Sequence, residues 1–152
     1  MLTVYRASAG AGKTHKLTGE YLTLLFGGTG AYRRILAVTF TNKATDEMKS
    51  RIVEELYNLS SGRKSDYVES LRATYALTEE QVRKQAKKIL TDILHDYSAF
   101  NISTIDRFFQ QTMRAFTREI GLQGGYGIEM DQELVLISAV DNLLADLEKP
   151  EK

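Results

Sequence analysis

Cysteine is absent from the 152 residues. Disulfides, thiolate metal sites and a cysteine nucleophile are therefore excluded. That absence agrees with a reducing cytoplasm, the expected location. Proline is scarce too, with Pro150 the single example. The interior can thus carry long helices without the lost N–H and ring clash that break them. Neither sign of charge is in excess, because Lys plus Arg and Asp plus Glu each number 20. Any nucleic-acid surface must then be a local basic patch rather than a global positive field. Long apolar runs are missing as well. The longest, such as 35–38, fall far short of the roughly 18 residues that span a bilayer. No internal repeat, low-complexity tract or secretory leader is legible. A soluble protein with no membrane partner is expected.

What is present is an ordinary globular balance, 43% hydrophobic and 26% charged, at a length suited to about one domain. Residues 2–7 read as a short strand. A loop follows, then a helix from Lys13 to about Phe26, broken by Gly27, Gly28 and Gly30. The β-branched and apolar run 35–39 suits a strand buried on both faces of a parallel sheet. Ala44, Met48, Ile52, Leu56 and Leu59 then recur at helical spacing. Residues 60–65 read as a loop. Thr78 with Gln81 forms a capping-box pattern. The helix it opens carries Val82, Ala86, Ile89, Leu90, Ile93, Leu94 and Tyr97 on one side.

Residues 100–104 suggest another short strand. Ile105, Phe108, Phe109, Met113, Phe116 and Ile120 mark an amphipathic helix, and Gly121 to Gly127 break the chain again. Asp131 is placed to cap a last helix with Leu136, Val140, Leu143, Leu144 and Leu147 facing inward. Strands alternating with helices argue for α/β layers around a partial parallel sheet. Three strands make a small sheet, so the domain is expected to be unfinished within these residues.

The central motif is Ala7-Ser8-Ala9-Gly10-Ala11-Gly12-Lys13-Thr14. It matches the phosphate-loop pattern except that Ala7 replaces the first glycine. Small residues let the backbone pass close to phosphate oxygens, and Gly10 and Gly12 adopt positive φ at little cost. Amides from Ala9, Gly10, Ala11, Gly12, Lys13 and Thr14 can converge on the phosphates of ATP as an anion nest. The helix that follows aims its positive end at the same place. In this reading Lys13 contacts the β- and γ-phosphates, and the Thr14 hydroxyl ligates Mg²⁺. Lys13 and Thr14 are the catalytic candidates.

Two further motifs lie at expected strand ends. Phe40, Thr41, Asn42 and Lys43 follow the second strand, where ligands of a parallel sheet collect. Hydroxyl, amide and ammonium groups there could bind a phosphodiester backbone, with Phe40 stacking on a base. From spacing alone the structural reading stands first: Thr41 or Asn42 caps the helix, Lys43 is solvated and Phe40 is core. At the third strand, Ser103 with Asp106 approximates a capping box. Thr104 and Arg107 could touch phosphate, while Phe108 and Phe109 are most simply core.

Taken together, 7–14, Ala37-Val38-Thr39-Phe40-Thr41-Asn42-Lys43-Ala44 with Glu47-Met48, and Ser103-Thr104-Ile105-Asp106-Arg107-Phe108 occur in this order. The set resembles the N-terminal part of UvrD/Rep-type superfamily 1 DNA helicases, most of all the RecB/AddA branch of helicase-nuclease subunits. The clear likeness covers about 2–48 and 101–121. It implies a RecA-like P-loop NTPase fold with extra helices from an inserted subdomain. Residues 1–122 would form a partial motor domain with a helical segment at about 62–98, and 123–152 the beginning of the inserted subdomain. It also implies ATP and Mg²⁺ as cofactors, single- or double-stranded DNA as partner, and a role in double-strand-break repair and recombination. Phe40, Thr41, Asn42, Lys43 and Thr104 would line the single-stranded DNA track. The implied protein partners are the remaining motor domains of a longer parent and a second helicase-nuclease subunit.

Three departures from the family pattern bear on activity. Asp106 stands where members of this branch often carry His, and a carboxylate there repels a DNA phosphate. The upstream glutamine motif that reads adenine is missing. No Asp-Glu pair follows an apolar strand, although phosphoryl transfer needs a carboxylate-held Mg²⁺. The chain is therefore expected to be an N-terminal piece that binds nucleotide and is inactive as a motor. Two other readings stay open: a small P-loop kinase, with Asp106 near its acceptor, and a non-catalytic module that senses nucleotide.

Overall fold

A computed structural model describes residues 4, 12–116 and 131–147. The chain divides into two compact units, Met1–Gln111 and Thr112–Lys152. In the first unit the order is α1 (Lys13–Phe26), a 3-10 turn (Ala31–Arg34), β1 (Ala37–Thr39), α2 (Asn42–Ser61), α3 (Val68–Tyr75) and α4 (Glu79–His95). A second 3-10 turn (Tyr97–Ala99) leads to β2 (Ile102–Thr104) and then α5 (Ile105–Ala115), whose last residues belong to the second unit. β1 and β2 pair in parallel, with Ala37 opposite Ile102 and Thr39 opposite Thr104. All of α2, α3 and α4 lies in the crossover between them, as a parallel pair requires. The first strand, expected over 2–7, lies outside the described residues.

The core forms where α1, α2 and α4 converge. Leu22, Ile52, Leu56 and Ile93 are fully enclosed there, each stabilising the fold by roughly 1.5–3 kcal/mol through removal from water. The apolar stripe foreseen on α2 is buried from Met48 to Leu59, and α2 packs most extensively on α4. The Thr78 capping box forms as read. Thr78 Oγ1 accepts from the Gln81 amide at 3.2 Å, and Gln81 Oε1 accepts from the Thr78 amide at 2.7 Å. Gly62 ends α2 at φ 68°, and a Cβ there would meet the Arg83 guanidinium carbon at 2.6 Å.

Several expectations are corrected. β1 is not buried on both faces, since Val38 is 46% exposed. One side is covered by α2, where Thr39 meets Thr45. The opposite side bears no covering layer among the described residues. On α4 the buried stripe follows Val82, Ala86, Ile89 and Ile93. Leu94 sits one residue, about 100°, off that stripe and is exposed. Tyr97 is exposed because the helix has already ended at His95.

Residues 60–65 are not wholly loop, because α2 continues through Ser61. Helix α3 falls within the helical segment expected at about 62–98, with bounds that the sequence reading does not give. Tyr67, Leu71 and Tyr75 carry its inward side at steps of four, with Tyr67 and Leu71 buried and Tyr75 packed against the core. That spacing is the one sequence signal that marks it.

In α5 no residue is buried, and Phe109 and Met113, with Phe116 just beyond the helix, are exposed rather than core. Ile120 and the break at 121–127 lie outside the described residues. The second unit holds α6 (Gln132–Leu147). Asp131 caps it as read, its Oδ1 accepting from the amides of Glu133 and Leu134 at 3.0 and 3.2 Å. Leu136, Val140, Leu143 and Leu144 face solvent instead of a core, and the Leu147 side chain lies outside the described residues. Among the described residues, no helix is long and apolar enough to cross a membrane.

Candidate functional site: the phosphate helix and the sheet's carboxyl edge

The start of α1 is set by Gly12, whose φ of 75° and ψ of 18° turn the chain left-handed immediately before Lys13. A Cβ at Gly12 would meet nothing within 4 Å, but an L-residue would be strained by the dihedral itself. The Lys16 amide donates to the Gly12 carbonyl at 3.0 Å, so the helix is regular from its first turn. Lys13 and Thr14 are both exposed there, and no acidic residue occupies that turn. Within its own first turn the helix therefore offers an anion its positive end without a carboxylate. Ala9, Gly10 and Ala11 lie outside the described residues.

The same turn is held from beneath. Thr18, fully buried, donates its hydroxyl to the Thr14 carbonyl at 2.8 Å. The Tyr67 hydroxyl reaches across from the start of α3 and donates to the His15 carbonyl at 3.1 Å. The His15 ring stacks on Tyr67 with centroids 4.8 Å apart, and its Nε2 lies 3.5 Å from Asp66 Oδ2. Burial, reinforced by the Glu55 carboxylate, raises the Tyr67 phenol above its ordinary value. Further along α1, Tyr75 and Gln85 donate to the carbonyls of Thr23 and Phe26 at 2.5 and 2.8 Å. Sequence reasoning missed His15, Asp66 and Tyr67, which meet only through a fold contact 52 residues apart.

At the carboxyl end of β1, Thr41 adopts extended dihedrals and caps α2, its Oγ1 accepting from the Ala44 amide at 3.1 Å. The hydroxyls of Thr39 and Thr45 lie 2.6 Å apart, and both reach the Thr41 carbonyl, at 3.1 and 3.2 Å. Two hydroxyl hydrogens thus serve three contacts and fix the turn tightly. Asn42 and Lys43 are exposed on the first turn of α2. Phe40 is not core: it is 87% exposed. The structural reading is therefore right for Thr41 and Lys43 and wrong for Phe40.

At the end of β2 the cap is Thr104 rather than Ser103, with Thr104 Oγ1 accepting from the Arg107 amide at 3.3 Å. Ser103 instead donates to the Thr104 carbonyl at 3.3 Å. The parallel register sets Thr39 beside Thr104, so the second and third motifs share one edge of the sheet. Neighbouring strands lie about 4.8 Å apart. Asp106 and Arg107 stand exposed at that edge.

A family model, described as UvrD/REP helicase N-terminal domain, matches residues 2–151. The chain belongs to this helicase family. Its relatives include RecBCD enzyme subunit RecB of Borreliella burgdorferi, 32% identical over 75% of this chain and 9% of that protein. An ATP-dependent helicase/nuclease subunit of Lactobacillus acidophilus is 32% identical over 83% of the chain and 9% of its own length. ATP-dependent DNA helicase Rep of Escherichia coli is 32% identical over 95% of the chain and 19% of its own length. The chain thus spans less than a fifth of these curated relatives. No solved structure matches it. With that membership the structure agrees at the coarse level, an α/β layout that is mostly helical with a small parallel sheet.

Proposed function

We propose that this chain is the ATP-binding N-terminal part of an ATP-dependent DNA helicase or helicase-nuclease that works in double-strand-break repair and recombination. The observation that carries the reading is the junction at Gly12. A left-handed glycine delivers the chain into a helix whose exposed first residues are Lys13 and Thr14. Amides of 9–14 would cradle the triphosphate, Lys13 would neutralise its β- and γ-phosphates, and Thr14 would hold Mg²⁺. The buried Thr18 and the Tyr67 clamp keep that turn in place when charge arrives.

Phe40, Thr41, Asn42, Lys43 and Thr104 form the DNA track in this proposal. A benzyl side chain 87% exposed at a strand's carboxyl end is accessible to a stacking partner. A nucleobase stacked on it removes that exposure. The partner is DNA, first as a single strand passing over this edge. The remaining motor domains of a longer parent would close over the nucleotide, and a second helicase-nuclease subunit would be a further partner. Residues 123–152 would begin the inserted subdomain, and the setting is cytoplasmic.

Within these residues Asp46-Glu47 sits inside α2 rather than after an apolar strand. The chain by itself therefore binds nucleotide without turning it over. Mg-ATP at about 100 times its Kd should stabilise the chain by about 2.7 kcal/mol. Lys13→Ala should abolish that gain and leave the fold intact. Equal thermal shifts in variant and parent would remove the reading. Robust DNA-stimulated turnover by the 152-residue chain would overturn its inactivity, and phosphorylation of a small acceptor would favour a kinase.

A further inference from the structure

A groove of about 400 Å³ lies between α4 and the turn that follows α1. Lys84 and Lys88 stand on its rim, one helical turn apart. Both are exposed, and neither forms an ion pair among the described residues. Their neighbours differ. Arg83 on the same helix is held by Glu79 at 2.6 Å, and Arg33 across the groove is held by Asp96 at 2.8 Å. Like charges at this spacing disfavour a helix. The fold thus gathers two ammonium groups, with Asp92 one turn beyond Lys88 as the nearest lining carboxylate.

Facing the lysines, the chain passes through Gly28, Thr29 and Gly30. A Cβ at Gly30 would meet nothing within 4 Å, and one at Gly28 only the Arg34 guanidinium at 3.8 Å. The backbone is bare on this side. Arg34, exposed and outside any ion pair among the described residues, adds a third cation. Asp92 is the one carboxylate among the described lining residues, so positive charge prevails. Leu25 and Ile89 give the groove an apolar floor.

We propose that this groove holds the sugar-phosphate backbone of a nucleic-acid strand, as a contact separate from the Phe40 edge. The proposal rests on the DNA-handling reading above. Two ammonium groups on stems with Cβ atoms about 5–6 Å apart can grip successive phosphates rather than one. The apolar floor suits a deoxyribose face, and the volume exceeds what a lone phosphate fills. The position is also distinct. Gly28 lies at the far end of α1 from Lys13, about 20 Å along the axis. β1 is entered from this end, whereas Phe40 stands at its exit.

The test uses the 152-residue chain and its Lys84→Gln/Lys88→Gln variant, in which glutamine preserves helix propensity. Binding of a labelled oligothymidylate is followed by fluorescence anisotropy across a KCl series. Amide shifts of Gly28, Thr29 and Gly30 are followed by NMR. The variant should bind at least tenfold more weakly at low salt. Its log–log salt slope should fall by about 1.4, two contacts at about 0.7 each. The glycine-turn shifts should disappear, while stabilisation by Mg-ATP through Lys13 persists. Unchanged affinity and slope in the variant, with Phe40→Ala still weakening binding, would overturn the groove and leave the proposed function standing. No oligothymidylate binding by the parent chain would remove the DNA-handling reading and the groove with it. Equal glycine-turn shifts from inorganic phosphate alone would overturn the backbone assignment.

Discussion

Tyr21 on α1 offers a sharp test of the packing that supports the phosphate helix. Its side chain is 4% exposed, and its hydroxyl has no hydrogen-bond partner among the described residues. The ring itself is well used, edge-on to Phe100 with centroids 5.9 Å apart. Tyr21→Phe keeps that ring contact and removes only the stranded oxygen. An unpaired buried hydroxyl costs about 1–3 kcal/mol in lost hydration. Taking the low end, the variant should gain about 1 kcal/mol, or about 3 °C in melting temperature for a chain of this size.

A second readout follows from ionisation. Burial raises the Tyr21 phenol above its ordinary value of about 10. Above that pH the unfolded chain releases the proton and the folded chain keeps it. Stability present below about pH 10 is therefore lost as pH rises further, at up to about 1.4 kcal/mol per pH unit. Tyr21→Phe should make the alkaline fall shallower. Tyr67, raised in the same direction, remains to give the residual slope. Urea denaturation at pH 7, 10 and 11 measures both effects. A less stable variant at pH 7, or an unchanged alkaline slope, would refute the stranded hydroxyl.

Two further outcomes are expected. Phe40→Ala should leave stability within about 0.5 kcal/mol, since the ring packs on little, while weakening oligothymidylate binding by about 1–3 kcal/mol; a loss of stability without a loss of binding would return Phe40 to a structural role. Thr78→Ala removes one half of a complete capping box and should cost about 1 kcal/mol in urea denaturation, with nucleotide binding untouched.

Local chemistry was legible in the sequence. Gly12 before Lys13 fixed where α1 begins, because few residues but glycine tolerate that left-handed turn. Thr78 with Gln81 announced a cap that forms in full, and the four-residue rhythm from Met48 to Leu59 gave the buried face of α2. These features depend on neighbours a few residues apart, and the order of three such motifs identified the family.

Tertiary structure decided what lies far apart in the chain. Only the parallel register brings Thr39 beside Thr104, joining two motifs at one edge. Only the packing of α3 and α4 delivers Tyr67, Tyr75 and Gln85 to carbonyls of α1. The fate of an aromatic was equally undecided by spacing: Phe100 is enclosed, while Phe40 and Phe109 stand in solvent. Hydrophobicity states what a side chain gains from burial, but whether a covering layer arrives depends on where the chain returns.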